Sequence, residues 1–234
     1  MNVGLYRGME AMAASERRLA ALTSNLANAQ TTGFKRVATF DHGDSASTRN
    51  TEHTVVRTGV ALDWTQGALE RTGVATDLSL RGEGFFAVEG PSGEVYTRDG
   101  QFHLNEEGVL LTGDGFPVAW RGARGAVDPL GEPIRVALDG SVLQGAQPVG
   151  QLKLVDFPAK DRLEQERHGY YVAGPNLEQT ASTAEVHQFA LEGSNVSTVD
   201  ELVRLIETQR SFEAGSNVVQ LIGKSYERLA QAGR

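Results

Sequence analysis

A seven-residue apolar repeat near the carboxyl end constrains the fold of this chain more than any other feature. The stretch contains no proline, and apolar side chains recur along it at Leu205, Phe212, Val219 and Tyr226, with Ile222 beside them. Residues seven apart lie on one side of an α-helix, so the repeat predicts a long helix with one apolar seam. Thr198 and Glu201 have the spacing of a capping box, and we therefore expect the helix to span residues 197–232.

The amino end carries the same repeat. Its apolar positions are Leu5, Met12, Leu19 and Leu26, and a second row of mostly small residues contains Leu22. The small row lets another helix approach closely. Two interpretations are open at this point. The terminal helices pack on one globular core, or they form a two-helix stalk whose remaining apolar surface binds other molecules.

The first helix is expected to run from Asn2 to Ala29 and to end at Gly33. A glycine after two β-branched residues supplies the left-handed backbone with which many helices end. Asn25 and Asn28 are unusual in the last helical turns. We expect their amides to bond either free backbone carbonyls or a neighbouring chain.

The middle of the chain has a different period. Short apolar runs alternate with glycine turns such as Asp99-Gly100, Asp114-Gly115 and Asp139-Gly140, and all seven prolines lie between residues 91 and 175. This pattern predicts antiparallel β structure, in a barrel or a sandwich. The predicted fold class is therefore α+β. Residues 1–36 and 195–234 form a discontinuous, coiled-coil-like helical domain, residues 37–57 a polar linker, and residues 58–194 a β-rich outer domain.

The search for reactive groups yields no candidate. The chain of 234 residues has no cysteine, and its five histidines lack the spacing of a zinc site. Arg98 and Asp99 are expected to form an exposed ion pair of little energetic value. We predict no catalytic, cofactor-binding or metal-binding residue and no small-molecule substrate. The acidic middle of the chain, within a net charge of −8, argues against nucleic-acid binding.

Three separated motifs resemble the bacterial flagellar rod and hook family. The first is the run from Asn25 to Lys35, Asn-Leu-Ala-Asn-Ala-Gln-Thr-Thr-Gly-Phe-Lys. The middle motif comprises Gln66-Gly67, Thr72-Gly73, Asp77-Leu78, Gly82-x-Gly84-Phe85-Phe86 and Tyr96-Thr97-Arg98-x-Gly100-x-Phe102. The last comprises Leu191-Glu192-x-Ser194-Asn195-Val196 and Glu207-Thr208-Gln209-Arg210-x-Phe212-Glu213. Phe212 and Gly215 depart from the tyrosine and asparagine that the family usually has.

The resemblance implies a structural subunit of the flagellar basal-body rod. Such a subunit self-assembles through its terminal helices, transmits torque from motor to hook across the periplasm, and binds other rod and hook proteins. It also implies export by the flagellar secretion apparatus without a cleaved signal peptide. The short chain favours a proximal-rod protein over a distal-rod or hook protein. The alternatives of other classes are a peptidoglycan-acting enzyme, which needs paired carboxylates, and a secreted β-rich adhesin.

The repeats and motifs together nominate the residues of an assembly interface. They are Leu5, Met12, Leu19, Leu22, Leu26, Asn25, Asn28, Gly33, Phe34, Asn195, Leu205, Gln209, Phe212, Val219, Ile222 and Tyr226.

Overall fold

The computed structural model of the chain describes residues 3–48, 51–167 and 169–232, which form two helices and a set of antiparallel strands. The chain folds into two compact units. The helical unit comprises Met1–Ala29, Arg36–Asp63 and Val196–Arg234, and the β unit comprises Gln30–Lys35 and Trp64–Asn195. The prediction of an α+β fold with antiparallel strands is confirmed.

The helical unit contains both long helices, α1 (Val3–Ala27) and α2 (Thr198–Ala232). Their bounds lie close to those expected from the apolar repeats. At about 1.5 Å per residue, the 35 residues of α2 extend over roughly 50 Å. Neither described helix has the length and apolar character that a membrane crossing requires.

A long β-hairpin replaces the predicted polar linker. Strands β1 (Val37–Thr48) and β2 (Thr51–Leu62) pair antiparallel, with Val37 opposite Leu62 and Thr48 opposite Thr51. The prediction of a linker without secondary structure is therefore wrong. Threonine and valine favour extended backbone even in a polar stretch, and the ladder of backbone hydrogen bonds needs no apolar alternation.

The described residues of the β unit form fifteen short strands. They are β3 (Leu69–Arg71), β4 (Leu78–Arg81), β5 (Phe85–Gly90), β6 (Gly93–Thr97), β7 (Phe102–Leu104), β8 (Leu110–Thr112), β9 (Ile134–Val136), β10 (Ser141–Gln144), β11 (Gln147–Gln151), β12 (Leu154–Asp156), β13 (Leu163–Arg167), β14 (Tyr170–Ala173), β15 (Thr180–Ala181), β16 (Glu185–Gln188) and β17 (Ala190–Glu192). A 3-10 turn at Lys160–Arg162 precedes β13.

The largest sheet of the β unit is open. Its order is β13-β14-β6-β5-β12-β15, and a three-stranded sheet has the order β11-β10-β9. The pairs β16-β4, β17-β3 and β7-β8 complete the described strands. None of these sheets closes on itself, so the barrel prediction is wrong for the described part of the chain, and a sandwich stays a prediction.

The core of the β unit is apolar and lies between these sheets. Leu78, Leu80, Phe86 and Val88 are fully buried within one continuous cluster. The rings of Phe86 and Phe102 meet edge to face at 5.2 Å between centroids. Alternating side chains of short strands from several sheets thus supply this core, as the period of two predicts.

Candidate assembly surface and buried ion centre

The two helices of the helical unit run antiparallel along one another. A Cβ atom added at Gly8 would lie 2.7 Å from Val219, and one at Gly215 would lie 3.6 Å from Met12. Asn25, near the end of α1, contacts Glu201, near the start of α2. The small residues of α1 therefore allow close approach, as the sequence predicts. Whether the pair supercoils as a coiled coil stays a prediction.

Most of the nominated seam residues are partly or fully covered within the chain. Leu22 is buried, and the others with described side chains are half-buried: Met12, Leu19, Leu26, Leu205, Phe212, Val219 and Ile222. Gln209 is exposed. The side chains of Leu5 and Tyr226 are not among those that the structure describes. The seam thus serves the contact between α1 and α2 of one chain.

A second apolar face of α2 is exposed, and the sequence pattern did not nominate it. Val199 is 70% exposed, Ile206 50% and Leu221 65%. Val203 is likewise more than half exposed. At 100° per residue, Val199, Ile206 and Leu221 lie about 140–160° around the helix from Val219. The signal available in the sequence was this second row, beside the seven-residue repeat.

Asn25 organises the end of α1 within its own chain. Its amide oxygen accepts from the Val37 N–H at 2.8 Å, and its amide nitrogen donates to the Val37 carbonyl at 2.9 Å. The same nitrogen donates to Glu201 at 3.1 Å. Asn25 thereby bonds the first residue of β1 as a neighbouring strand would. Asn28 donates to the Ser24 carbonyl, as expected for an amide at a helix end.

The start of α2 differs from the predicted capping box. The Ser197 hydroxyl accepts from the Asp200 N–H, so the cap is one residue earlier than expected. Glu201 is buried and faces Asn25, with the Arg36 guanidinium 3.6 Å from its carboxylate. Its carboxylate is therefore used for packing inside the helical unit. A nearby pair, Arg18 with Asp41, joins α1 to β1 and holds the pKa of Asp41 below its usual value.

The β unit contains a buried ion centre formed by Lys35, Arg98 and Glu192. The ammonium of Lys35 lies 2.6 Å from one carboxylate oxygen of Glu192, and the Arg98 guanidinium lies 3.1 Å from the other. The side chain of Glu192 is 0% exposed and that of Lys35 is 1% exposed. Two buried cations therefore share one buried carboxylate.

Backbone groups add hydrogen bonds to this centre, and the Arg98 Nε is a buried atom without a hydrogen-bond partner among the described residues. The Gly67 N–H donates to Glu192, Lys35 donates to the Thr65 carbonyl, and Arg98 donates to the Gly82 carbonyl. The guanidinium also lies 5.5 Å from the centroid of the Phe85 ring. These hydrogen bonds reduce the cost of taking three charges out of water.

Aromatic side chains shield this region of the β unit. Trp64 contacts Phe85 and Tyr171 edge to face, with centroids 5.4 and 4.9 Å apart. Tyr171 is fully buried, and this burial raises the pKa of its phenol. Exclusion of water strengthens the charge interactions inside the centre.

The nominated residues Gly33, Phe34 and Asn195 lie beside this centre, within the β unit. Gly33 has φ +66°, which confirms the left-handed backbone, and a Cβ atom there would lie 2.4 Å from the backbone of Arg98. Phe34 is fully buried. Asn195 donates to the Thr65 carbonyl at 3.0 Å. Every segment by which the chain enters or leaves the β unit is thus bonded near the same point.

The prediction of an exposed ion pair between Arg98 and Asp99 is wrong. Arg98 is buried against Glu192, and Asp99 accepts from the Thr32 hydroxyl at 2.7 Å. Burial raises the pKa of Asp99 despite that hydrogen bond. Within the described chain, no group of three or more histidine, aspartate or glutamate side chains has the arrangement of a metal site. The ion centre brings Lys35, Arg98 and Glu192, from three separate segments, into direct contact.

Three family models match separate parts of the chain. A model described as "Flagella basal body rod protein" matches residues 5–35, and "Flagellar hook protein FlgE/F/G D1 domain" matches residues 79–143. "Flagellar basal body rod FlgEFG protein C-terminal" matches residues 187–232. The chain is 37% identical to the flagellar basal-body rod protein FlgF of Caulobacter vibrioides, over 99% of both chains.

The chain belongs to the flagellar basal-body rod protein family. Other relatives of this rod protein are FlgF of Mesorhizobium japonicum, 35% identical over 91% of this chain and 90% of the relative, and FlgG of Buchnera aphidicola, 33% identical over 90% and 92%. The resemblance predicted from the sequence is confirmed, and the relatives support the proximal-rod type. The rod protein is a structural subunit of the flagellar basal body.

The ion centre joins the three motif groups that identify this rod protein. Gly33 and Lys35 come from the first motif, Gly67 and Arg98 from the middle one, and Glu192 from the last. Sequence reasoning found the motifs and did not find the contact among them, because no spacing rule connects residues 157 positions apart.

Proposed function

We propose that the rod protein assembles with copies of itself and with other rod and hook proteins through the exposed apolar face of α2. The observation that carries this proposal is the exposure of Val199, Val203, Ile206 and Leu221 on a face of α2 that α1 leaves uncovered. Burying one such side chain stabilises an interface by about 1.5–3 kcal/mol. Val199, Val203 and Ile206 form an exposed apolar patch within the first turns of α2, and contiguous exposed apolar patches mark interaction sites.

The proposed mechanical role is transmission of torque from motor to hook. Torque passes between subunits only where contacts are extensive and repeated, and a helix of roughly 50 Å offers a contact of that length. The α1–α2 seam, with Met12, Phe212 and Val219, stiffens each subunit. We further propose a proximal position in the rod, delivery by the flagellar secretion apparatus, and no enzymatic activity. The structural character of the family supports these assignments.

A pair of single substitutions on α2 tests the assembly face. Ile206→Glu places a charge on the exposed apolar face, and Ser211→Glu places the same charge on another exposed side of the same helix. Because neither side chain is needed for the fold, both variants are expected to melt as the parent protein does. Cells with Ile206→Glu should build no complete rod and not swim, whereas cells with Ser211→Glu should swim. Normal swimming with Ile206→Glu would contradict the proposed face.

A further inference from the structure

A leucine stands almost fully in solvent at the tip of a turn in the β unit. Leu130 is 96% exposed, far more than any other large apolar side chain of the described residues. It lies between β8 and β9, in the sequence Asp-Pro-Leu-Gly-Glu-Pro. A single exposed leucine needs no explanation by itself. The hydrogen bonds that hold the backbone of this turn distinguish Leu130 from an isolated exposed leucine.

The Leu130 turn, residues 128–132, is held rigidly by its own hydrogen bonds. The Asp128 carboxylate accepts from the Leu130 N–H at 3.0 Å. The Gln144 side chain accepts from the Asp128 N–H and donates to the carbonyls of Asp128 and Glu132. Prolines at positions 129 and 133 restrict the backbone further. The backbone of the turn is therefore held in one conformation, which lowers the entropy cost of docking it.

A groove of about 770 Å³ lies elsewhere on the same unit. Its apolar wall includes Trp120, Leu138 and Leu154, of which Leu138 is 56% exposed. Grooves of about 300–1,000 Å³ are the size that accepts compact ligands. This volume accommodates a protruding turn and not merely one side chain.

The turn and the groove lie at opposite ends of the three-stranded sheet. Gln144, which holds the turn, is at one end of β10, where it pairs with Ile134 and Gln147. The groove residues Leu138 and Gln151 are at the other end, where Gln151 pairs with Ser141 and Leu138 follows the last residues of β9. Because the turn and the groove lie at opposite ends of the sheet, the Leu130 turn cannot dock in the groove of its own chain. Repeated between copies, they form a head-to-tail contact that does not close into a dimer.

Each of the two surfaces carries a charged side chain without an ion-pair partner among the described residues, and these two charges are opposite in sign. The turn carries Asp128 and Glu132, and the Glu132 carboxylate makes no ion pair in the described chain. Four charged residues line the groove. Lys153 pairs with Glu94, Asp139 accepts from the Ser141 hydroxyl, and Glu185 lies 3.4 Å from His187, whereas the Arg121 side chain has no hydrogen-bond or ion-pair partner among the described residues. An exposed carboxylate beside the leucine thus has a matching exposed guanidinium beside the groove.

We propose that the Leu130 turn of one copy docks in the groove between Trp120 and Leu138 of the next copy in the rod, with Glu132 paired to Arg121 of that next copy. This inference rests on the proposed function, since the copies must be neighbours in the rod. It adds a contact between β units to the helical contacts. The contact is directional, so it sets the order of copies along the assembly.

Disulfide cross-linking tests this contact directly, because the chain has no cysteine of its own. The double variant Leu130→Cys with Thr183→Cys places one thiol on the turn and one in the groove of every copy. Oxidised basal bodies should yield a ladder of dimers, trimers and larger species on a non-reducing gel. The matched control, Leu130→Cys with Glu164→Cys, places the second thiol on β13, at the opposite edge of the large sheet from β12 and β15. It should yield no ladder.

Rods that contain the double variant without cross-links above the control would overturn the docking contact. So would dimers alone, which indicate a closed two-fold contact. Failure of the parent protein to enter rods would instead overturn the proposed function.

Charge reversal supplies an independent test that needs no cross-link. Glu132→Arg alone and Arg121→Glu alone should each lower the amount of the protein in isolated rods, by roughly two- to five-fold for an exposed pair. The two changes combined in one chain should restore it, since the pair is re-formed with opposite polarity. Single variants without effect, or a double variant no better than either single one, would overturn the pairing. Unchanged melting of the purified variants controls for folding.

Discussion

Replacing Glu192 by glutamine is expected to destabilise the β unit severely. The substitution keeps the shape of the side chain and removes the carboxylate that pairs with both Lys35 and Arg98 in the buried centre. Breaking a buried ion pair by removing one partner costs about 3–5 kcal/mol, because the remaining charge is left uncompensated. Here two cations lose that carboxylate, so the upper part of that range is expected. Native domains have only about 5–15 kcal/mol of stability in total.

Urea unfolding followed by tryptophan fluorescence measures this loss. Trp64 contacts Phe85 and Tyr171 beside the centre and reports on its integrity. Glu83→Gln is the matched control, because Glu83 is exposed and its ion pair with Lys160 contributes at most about 1 kcal/mol. A third variant separates charge balance from simple loss of contact. Lys35→Met leaves one cation with one carboxylate, so it should destabilise less than Glu192→Gln.

The opposite order of these variants would refute the reasoning. If Glu192→Gln lost no more stability than Glu83→Gln, the centre would contribute nothing beyond packing. If Lys35→Met were the more destabilising change, the excess of positive charge would not be the dominant cost.

Three further predictions concern other parts of the chain. Gly33→Ala should lower the melting temperature far more than Gly73→Ala. Both glycines have a positive φ, which costs an L-residue about 1–2 kcal/mol, but only Gly33 lies against another backbone segment. Equal shifts in melting temperature would contradict the close approach. Asp99→Asn should remove a pH dependence of stability. Burial raises the folded pKa of Asp99 above its unfolded value of 3.8. The contribution of Asp99 to the free energy of unfolding is therefore full below pH 3.8 and is lost as pH rises through the folded pKa. The reasoning would be contradicted if the stability of the parent protein rose between these two pKa values while that of the variant stayed constant. Phe212→Ala should weaken the α1–α2 pair and abolish swimming. Truncating a fully buried aromatic ring costs about 3–5 kcal/mol, and the cost is smaller here because Phe212 is half-buried. Tryptophan fluorescence of the β unit should hardly change, and normal motility would contradict the prediction.

The sequence predicted those features that depend on local pattern. A seven-residue repeat defines α1 and α2, and a glycine after two threonines defines the left-handed turn at Gly33. The β1–β2 hairpin was missed because its stability comes from backbone pairing and from Asn25, and neither leaves an apolar period. The cap of α2 was misplaced because Ser197 and Thr198 are chemically equivalent as caps. The hydrogen bond from the Asp200 N–H to the Ser197 hydroxyl, together with the burial of Glu201 against Asn25, distinguishes them.

The ion centre could be identified only from the three-dimensional structure. Lys35, Arg98 and Glu192 are charged residues in polar stretches, and charged residues are ordinarily exposed. Their burial follows from chain connections that bring the ends of three motifs together. Likewise, the exposed face of α2 is identified only when the position of α1 shows which apolar row is already covered.

A cryo-EM map of the intact basal body tests the central claim most directly. The claim is that the rod protein joins its neighbours through the face of α2 that carries Val199, Val203, Ile206 and Leu221. The map should show side chains of an adjacent subunit within about 4 Å of these residues along the length of the helix. A map in which this face borders solvent, while subunits are joined through other surfaces, would contradict the account.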